Sequence, residues 1–248
     1  MISKFLFINS NWLNAFLINF IFIFFGQNLP FLTKKGWIHA GILGTLLWGA
    51  IGWKGWMSVC IYLLIGTLVT KIGYKNKASR GIAEARGGKR GPENVWGSAA
   101  TGCSLALLSY LYPQYSIVFM VGFASSFSAK LSDTFASEIG KRFGKRTFLI
   151  TTFKSAPPGT EGAVSLEGSI AGFVGSFLMT FVMMKLSIIS GFTVAIIVFF
   201  SGYIATIIES YIGALMQNRI SWLSNELVNS IQTTLAALIS ILLYEIIL

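Results

Sequence analysis

SAKLSDTFASEIGKR, residues 128–142, closes an apolar stretch that runs from about Ile117 to Ile139 and holds Asp133, the only aspartate of the chain. An apolar run of that length spans a bilayer as a helix. A carboxylate inside such a run is costly unless it faces a partner, an ion or a water-filled cavity. Lys130, Ser132, Thr134 and Ser137 add polar groups where lipid tolerates few. Two readings follow: a functional intramembrane site, which the pattern favours, or a buried structural ion pair between Asp133 and Lys130.

Outward from this stretch the chain keeps the same character. Of its 248 residues 54% are hydrophobic and 11% charged, whereas soluble domains carry about a quarter charged residues. This composition predicts an all-α, polytopic integral membrane helical bundle of seven or eight transmembrane helices, forming a single transmembrane domain over residues 1–248. The spans fall near 12–30, 38–53, 55–71, 96–112, 116–139, 168–185, 191–213 and 228–247. The second and third, rich in glycine and tryptophan and separated by Lys54, read as a tight helical hairpin. The first has one lysine ahead of it and no small-residue cleavage site behind it, so it is expected to be retained. Cys60 and Cys103 sit in different apolar segments and read as core residues. The single histidine, His39, beside Trp37, reads as interfacial and excludes a histidine-based zinc centre.

The formal charge of +10 is distributed unevenly. Fifteen lysines and arginines fall in the odd-numbered loops, while the even-numbered loops hold only Lys54 and Lys185. The positive-inside rule therefore puts the odd loops in the cytoplasm and both termini on the opposite side. Topology alone accounts for this asymmetry; polyanion binding on the same face is the sharper alternative. Two long loops lie there, at about 72–95 and 140–167. The first contains KNKASRGIAEARGGKRGPENVWGSA and the second GKRFGKRTFLITTFKSAPPGTEGAVSLEGS. Glycines let backbone N–H groups approach a phosphate closely, and a helix start beyond them adds the positive end of its dipole. Neither loop holds a standard nucleotide-binding signature. Lys75 and Lys77 read as membrane-surface charge. Gly168, Gly172 and Gly175 read as a helix-packing face.

Polar side chains recur near the cytoplasmic ends of the spans: Asp133 and Glu138, Glu209 with Ser210, and Asn225, Glu226 and Asn229. Asp133 and Ser137 share a helix face, but Glu138 is rotated by about 140° from Asp133. Joint use of both acids on one ion therefore needs a helix distortion, the alternative being that Glu138 serves the loop side. Carboxylates with amide oxygens suit Mg²⁺, which takes one or two protein carboxylates and completes its shell with water and substrate phosphates. A proton or cation pathway is the competing reading of the same acids.

Four ordered motifs, ARGGKRGPENVWGSA (85–99), SDTFASEIGK (132–141), LITTFKSAPPGTEGAVSLEGSIAG (149–172) and ESYIGALMQNRISWLSNELVN (209–229), resemble the DUF92 (TMEM19) membrane family. The similarity covers most of the chain beyond about residue 36. It runs strongest toward the phytyl-phosphate kinase branch of plants and cyanobacteria, through GPENVW and WLSNELVN. The resemblance implies transfer of a phosphoryl group from a nucleoside triphosphate, CTP, to phytyl monophosphate, giving phytyl diphosphate in phytol salvage towards tocopherol. It implies acids at Asp133, Glu138 and Glu209. Two departures stand in the PGTDGG-like stretch, where Glu161 replaces a common aspartate and Ala163 a frequent glycine. Glu167 stands where an apolar residue is expected.

Together these readings predict an Mg²⁺-dependent lipid-phosphate kinase of the inner or thylakoid membrane, its substrates a prenyl monophosphate and a nucleotide, with membrane lipids around it and no nucleic acid. Asp133, Glu138 and Glu209 are the expected catalytic acids, and with Asn225 and Asn229 the expected Mg²⁺ ligands or hydrogen-bonding partners of its waters. Arg86, Lys89, Arg90, Glu93, Asn94 and Lys154, with Gly159, Thr160, Glu161, Gly162 and Ser165, are the expected phosphate and nucleotide contacts. The alternatives are a non-enzymatic carrier of an anionic isoprenoid and, among enzymes, nucleotidyl transfer.

Overall fold

The computed structural model describes residues 2–217 and 219–248. Long helices dominate: α1 (Ile2–Gly26), α2 (Lys34–Lys71), the short α3 (Tyr74–Ser79), α4 (Pro92–Leu111), α5 (Ser116–Phe143), α6 (Leu166–Lys185), α7 (Phe192–Ile212) and α8 (Asn225–Ile247). A π-helical turn, Gly213–Gln217, extends α7. The only strands among the described residues are two-residue β1 (Phe148–Leu149) and β2 (Ala163–Val164), paired antiparallel inside the loop between α5 and α6. The α2, α6 and α8 helices, and α7 with its π-helical turn, are long and apolar enough to cross a membrane by length and composition.

α2 folds back on itself. Gly52 has φ 75 and ψ −177, outside the helical region, a conformation that glycine reaches without steric cost. In one straight helix Gly36 and Gly66 would lie about 45 Å apart. Instead both lie against Arg90: a Cβ on Gly36 would come within 2.6 Å of the Arg90 carbonyl, and one on Gly66 within 2.7 Å of Arg90 Nη2. Across the bend Trp48 and Trp56 pack with ring centroids 5.1 Å apart. The element is the helical hairpin that the Lys54 interruption predicts.

The bundle is inverted relative to a soluble protein. Phe177 and Leu242 are about 60% exposed, while Ser125, Ser128, Ser132, Ser176, Ser201 and Ser240 are fully buried. Lipid solvates the outer apolar side chains, so packing and internal hydrogen bonds carry helix association. α5 is the central helix, packed against α2, α4, α6, α7 and α8. α6 lies on it through a face without side chains: a Cβ on Gly168 would meet the Ala136 carbonyl at 2.8 Å, and one on Gly175 the Leu131 carbonyl at 2.8 Å. Ser128 joins this seam, with its hydroxyl 2.8 Å from Ser176 and 3.1 Å from Thr180.

Every odd-numbered loop falls at one end of the bundle, so the basic residues gather there. The bend at Gly52, the α4–α5 turn and the α6–α7 turn lie at the other, where Trp12 stacks edge-on against Tyr110. α8 runs from the basic end to the far end, and α1 runs from the far end toward Trp37.

Candidate functional site

At the basic end a cavity of about 500 Å³ is enclosed where α5, α6, α7, α8 and α4 meet the two long loops. Local sequence explains why these elements end there. Pro92 opens α4, with Asn94 Oδ1 accepting from Gly91 N at 2.9 Å. The Ser165 hydroxyl caps α6 by accepting from Gly168 N at 3.1 Å, and Ser224 caps α8 through Leu227 N at 3.3 Å. Glu167 sits in the first turn of α6, where a carboxylate is favoured by the helix dipole. That placement gives the unexpected acid a structural reason.

On the inner wall Lys130, 6% exposed, pairs with Asp133 and donates to Asn229 Oδ1 at 2.7 Å. Below it Gln232 Nε2 donates to the Ala129 carbonyl at 3.2 Å and to Thr206 Oγ1 at 3.1 Å, fixing α8 to α5 and α7. Glu209 lies in the last turns of α7, with Asp133, Lys130 and Glu161 as its charged neighbours. Arg90 Nη1 donates to Tyr62 Oη at 2.9 Å, and its guanidinium lies 5.2 Å from the Tyr62 ring centre. Desolvation raises the Glu161 carboxyl above its ordinary range; Lys141 opposes that shift and Asp133 reinforces it.

The α5–α6 loop is held over the cavity by backbone geometry. Gly162 has φ 73 and lies so close to Ala214 that a side chain would collide with the start of the π-helical turn. Gly159 meets Ile82 of the α3–α4 loop, so the two long loops touch. Glycine is required at both places, for the positive φ and for the close approach.

The structure brings twelve of the sixteen expected residues to the cavity wall: Asp133, Glu138, Glu209, Arg90, Asn94, Gly159, Thr160, Glu161, Gly162, Ser165, Asn225 and Asn229. The other four, Arg86, Lys89, Glu93 and Lys154, lie off it. Arg86 and Glu93 form an ion pair with both side chains more than 40% exposed, and Lys89 and Lys154 are exposed. A side chain in a loop has no helical phase, so glycine spacing does not tell Arg90 from Arg86. Asn94 has a framework role: it also accepts from Arg86 Nη2 at 2.7 Å and donates to Glu226 Oε1 at 3.2 Å.

Two further positions differ from expectation. Lys77 is not surface charge. It is fully buried, donates to the Thr70 carbonyl at 3.0 Å and pairs with Glu138. Glu138 therefore faces the loop side, and α5 keeps helical geometry throughout, with no distortion that would turn Glu138 toward Asp133. Sequence reasoning also passed over Lys141 and Tyr203, both on the wall, and treated Lys130 only as a partner for Asp133. The available signal for Lys130 was its place as a cation in the interior of a membrane span.

Among the described residues no three acidic, histidine or cysteine side chains converge into a ready-made metal cage. The donor set at hand consists of hard oxygens from Asp133, Glu209, Asn225 and Asn229. That chemistry fits Mg²⁺, which needs only one or two carboxylates when phosphates and waters complete its shell.

A lipid-facing helical bundle with a charged cavity at one end defines an integral membrane protein. More particularly, the chain belongs to the family described as integral membrane protein DUF92, whose pattern matches residues 17–237. It is 46% identical over 233 residues to the uncharacterized membrane protein sll0875 of Synechocystis sp., covering 93% of this chain and 90% of that one. Over 244 residues it is 43% identical to Protein VTE6, chloroplastic, of Arabidopsis thaliana, covering 96% and 73%. It is 28% identical over 213 residues to the uncharacterized membrane protein MJ0933 of Methanocaldococcus jannaschii, covering 86% of each. No solved structure matches the chain.

Proposed function

We propose that the protein is a prenyl-phosphate kinase that uses a nucleoside triphosphate, CTP, to convert phytyl monophosphate to phytyl diphosphate in phytol salvage towards tocopherol. The observation that carries the reading is the cavity itself. It gathers Asp133, Glu161 and Glu209 with Arg90, Lys130 and Lys141 at the end of a membrane bundle. The motif resemblance to phytyl-phosphate kinases then names the lipid and the reaction. The attacking group is a phosphate oxygen of the lipid, largely ionised near neutral pH because its second pKa is about 6. It forms a bond to the γ-phosphorus as the bond to the β-phosphate oxygen breaks, releasing the nucleoside diphosphate. No general base is required, and the protein's task is positioning and charge neutralisation.

In this reading Arg90 and Lys141 neutralise phosphate charge, and residues 159–165 close over the nucleotide. Asp133 and Glu209, with Asn225 and Asn229, would hold Mg²⁺, which supplies further neutralisation of the transferred group when bound. Glu138 shapes the wall and anchors α3 through Lys77. The lipid enters sideways from the bilayer: Ile207 lines the cavity and is also exposed on the outer surface of α7.

The test incubates purified protein with phytyl monophosphate, Mg²⁺ and each nucleoside triphosphate in turn. Phytyl diphosphate with nucleoside diphosphate is the expected outcome. Pyrophosphate release instead means nucleotidyl transfer. Absence of turnover by well-folded protein points to a carrier of anionic isoprenoids. The basic end faces the cytoplasm in this proposal. A Lys89→Cys variant in a Cys60→Ala, Cys103→Ala background is then expected to resist an impermeant thiol reagent applied to intact cells. Labelling from outside would reverse the orientation.

A further inference from the structure

Among the described residues Lys130 is the one lysine buried within a long helix along the cavity wall, and its surroundings differ from those of Lys77, which is also buried. Lys77 lies against Glu138 and the Thr70 carbonyl with no exposed surface. Lys130 keeps a small exposed surface on the cavity. Its ammonium has three N–H donors. Two are engaged, by Asp133 and by Asn229 Oδ1, which leaves one without a partner among the described residues. Both acceptors are hard oxygens of the kind a divalent cation takes, so ammonium and metal compete for the same atoms. Arg90 approaches from the side, tied to Tyr62, whose phenol is also among the polar neighbours of Lys130. A buried ion pair is weak as a stabilising device, because apolar residues of similar volume often serve as well.

We propose that Lys130 is a phosphate-binding residue of this cavity, held by Asp133 and Asn229 in the structure seen here and released to a phosphoryl oxygen when a divalent cation occupies those two oxygens. The inference rests on reading the cavity as a phosphate site. Asp133 and Lys130 then act in sequence on one ligand: the carboxylate exchanges its ammonium for the metal, and the freed ammonium meets the anion that arrives with it. The site stays close to charge balance at each stage, as a low-dielectric position demands. Lys130 forms no covalent bond and transfers no proton in this account.

The experiment measures two ligands on full-length protein in nanodiscs, Mn²⁺ by electron paramagnetic resonance and pyrophosphate by calorimetry at saturating Mg²⁺, for wild type, Lys130→Met, Lys130→Arg and the surface control Lys75→Met. Lys130→Met is expected to lose pyrophosphate affinity by about tenfold or more while Mn²⁺ binds at least as tightly as in wild type, because the competing ammonium is gone. Lys130→Arg is expected to retain most pyrophosphate affinity, and Lys75→Met to leave both ligands unchanged. A folded Lys130→Met protein in which Mn²⁺ weakens together with pyrophosphate would show that Lys130 only positions Asp133, overturning the proposal. If Lys130→Met fails to fold, the charge-neutral Lys130→Met, Asp133→Asn protein is compared with Asp133→Asn alone. Equal pyrophosphate affinities in those two proteins overturn the proposal, and a further loss on adding Lys130→Met supports it. Pyrophosphate binding that depends on Lys130, in a protein that does not phosphorylate phytyl monophosphate, sinks the kinase reading and leaves this one standing. Turnover that is indifferent to Lys130 does the reverse. A wild type that binds no pyrophosphate overturns both.

Discussion

Asp133 and Glu138 sit five residues apart along α5, each paired with a buried lysine, and the two pairs serve different purposes. Glu138 meets Lys77, which comes from α3, 61 positions earlier in the chain. That pair is buried and fastens α3 to the bundle, while Lys141 lies 3.9 Å from the other Glu138 oxygen on the cavity wall. Asp133 meets Lys130 within its own helix, at the edge of a cavity, and Lys130 also reaches Asn229 of α8. A pair between distant elements, its lysine without exposed surface, is a structural bolt. An i,i+3 pair beside a cavity, with Asn229 as shared acceptor, is charge kept available. Two pairs of identical chemistry on one helix are thus separated by what surrounds them.

The largest expected effect falls on the enclosed pair. Lys77→Met leaves the buried Glu138 carboxylate with only Lys141, 3.9 Å away, and is expected to cost up to about 3–5 kcal/mol of stability, read as a drop in thermal melting in detergent. Adding Glu138→Leu is expected to recover most of that loss. A Lys77→Met protein that melts like wild type would erase the contrast between the two pairs.

The cavity pair is expected to respond in activity. Asp133→Asn keeps an acceptor oxygen for Lys130, and Asn229 remains, so stability should fall by no more than about 1–2 kcal/mol. Turnover of phytyl monophosphate should fall by about 10²- to 10³-fold, the scale of removing one electrostatic contact to a transition state. A loss of stability matching that of Lys77→Met, with activity restored by adding Lys130→Met, would make Asp133 structural as well.

A smaller effect separates the two arginines that flank the Gly87–Gly88 turn. Arg90 lines the cavity and grips Tyr62, whereas Arg86 pairs with exposed Glu93. Arg90→Ala is expected to raise the KM for nucleotide by about tenfold, in keeping with a lost charged hydrogen bond. Arg86→Ala should change stability by less than about 1 kcal/mol, as exposed pairs do. Equal effects on KM would return both residues to general surface charge.

The smallest effect is one of pH. The Glu161 carboxyl is raised above its ordinary 4.5 mainly by desolvation, so the folded protein holds that proton more tightly than the unfolded chain. The group's contribution to stability is therefore full below 4.5 and is lost as pH rises from 4.5 through the folded value. Glu161→Gln is expected to flatten that part of the melting profile; an unchanged slope would remove Glu161 from the cavity's electrostatics.

How far the sequence carried varied with the kind of residue. The α2 hairpin was legible because Lys54 and glycines interrupt an apolar run. The packing face of α6 was legible because Gly168, Gly172 and Gly175 recur at helical spacing. Helix phase separated Glu138 from Asp133 correctly, since 3.6 residues per turn fixes their angle whatever the tertiary context. Phase did not say what Glu138 faces, because its partner comes from a short helix elsewhere in the chain. The loops gave least: Arg86 and Arg90 have similar neighbours in sequence and different surroundings in space.

By itself, then, the sequence determined a membrane-embedded helical bundle, the approximate spans, the end at which positive charge gathers, and the presence of acids at that end. Each follows from composition and short-range periodicity, which act through lipid and backbone geometry alone. Only the tertiary structure decided which cations face the cavity, that Lys77 is buried with Glu138, and that Lys130 bridges Asp133 and Asn229. Those outcomes depend on contacts between residues distant in the chain, such as the 99 positions from Lys130 to Asn229. The physical reason is desolvation: a buried charge must find a partner wherever the fold supplies one, and no local pattern records where that is.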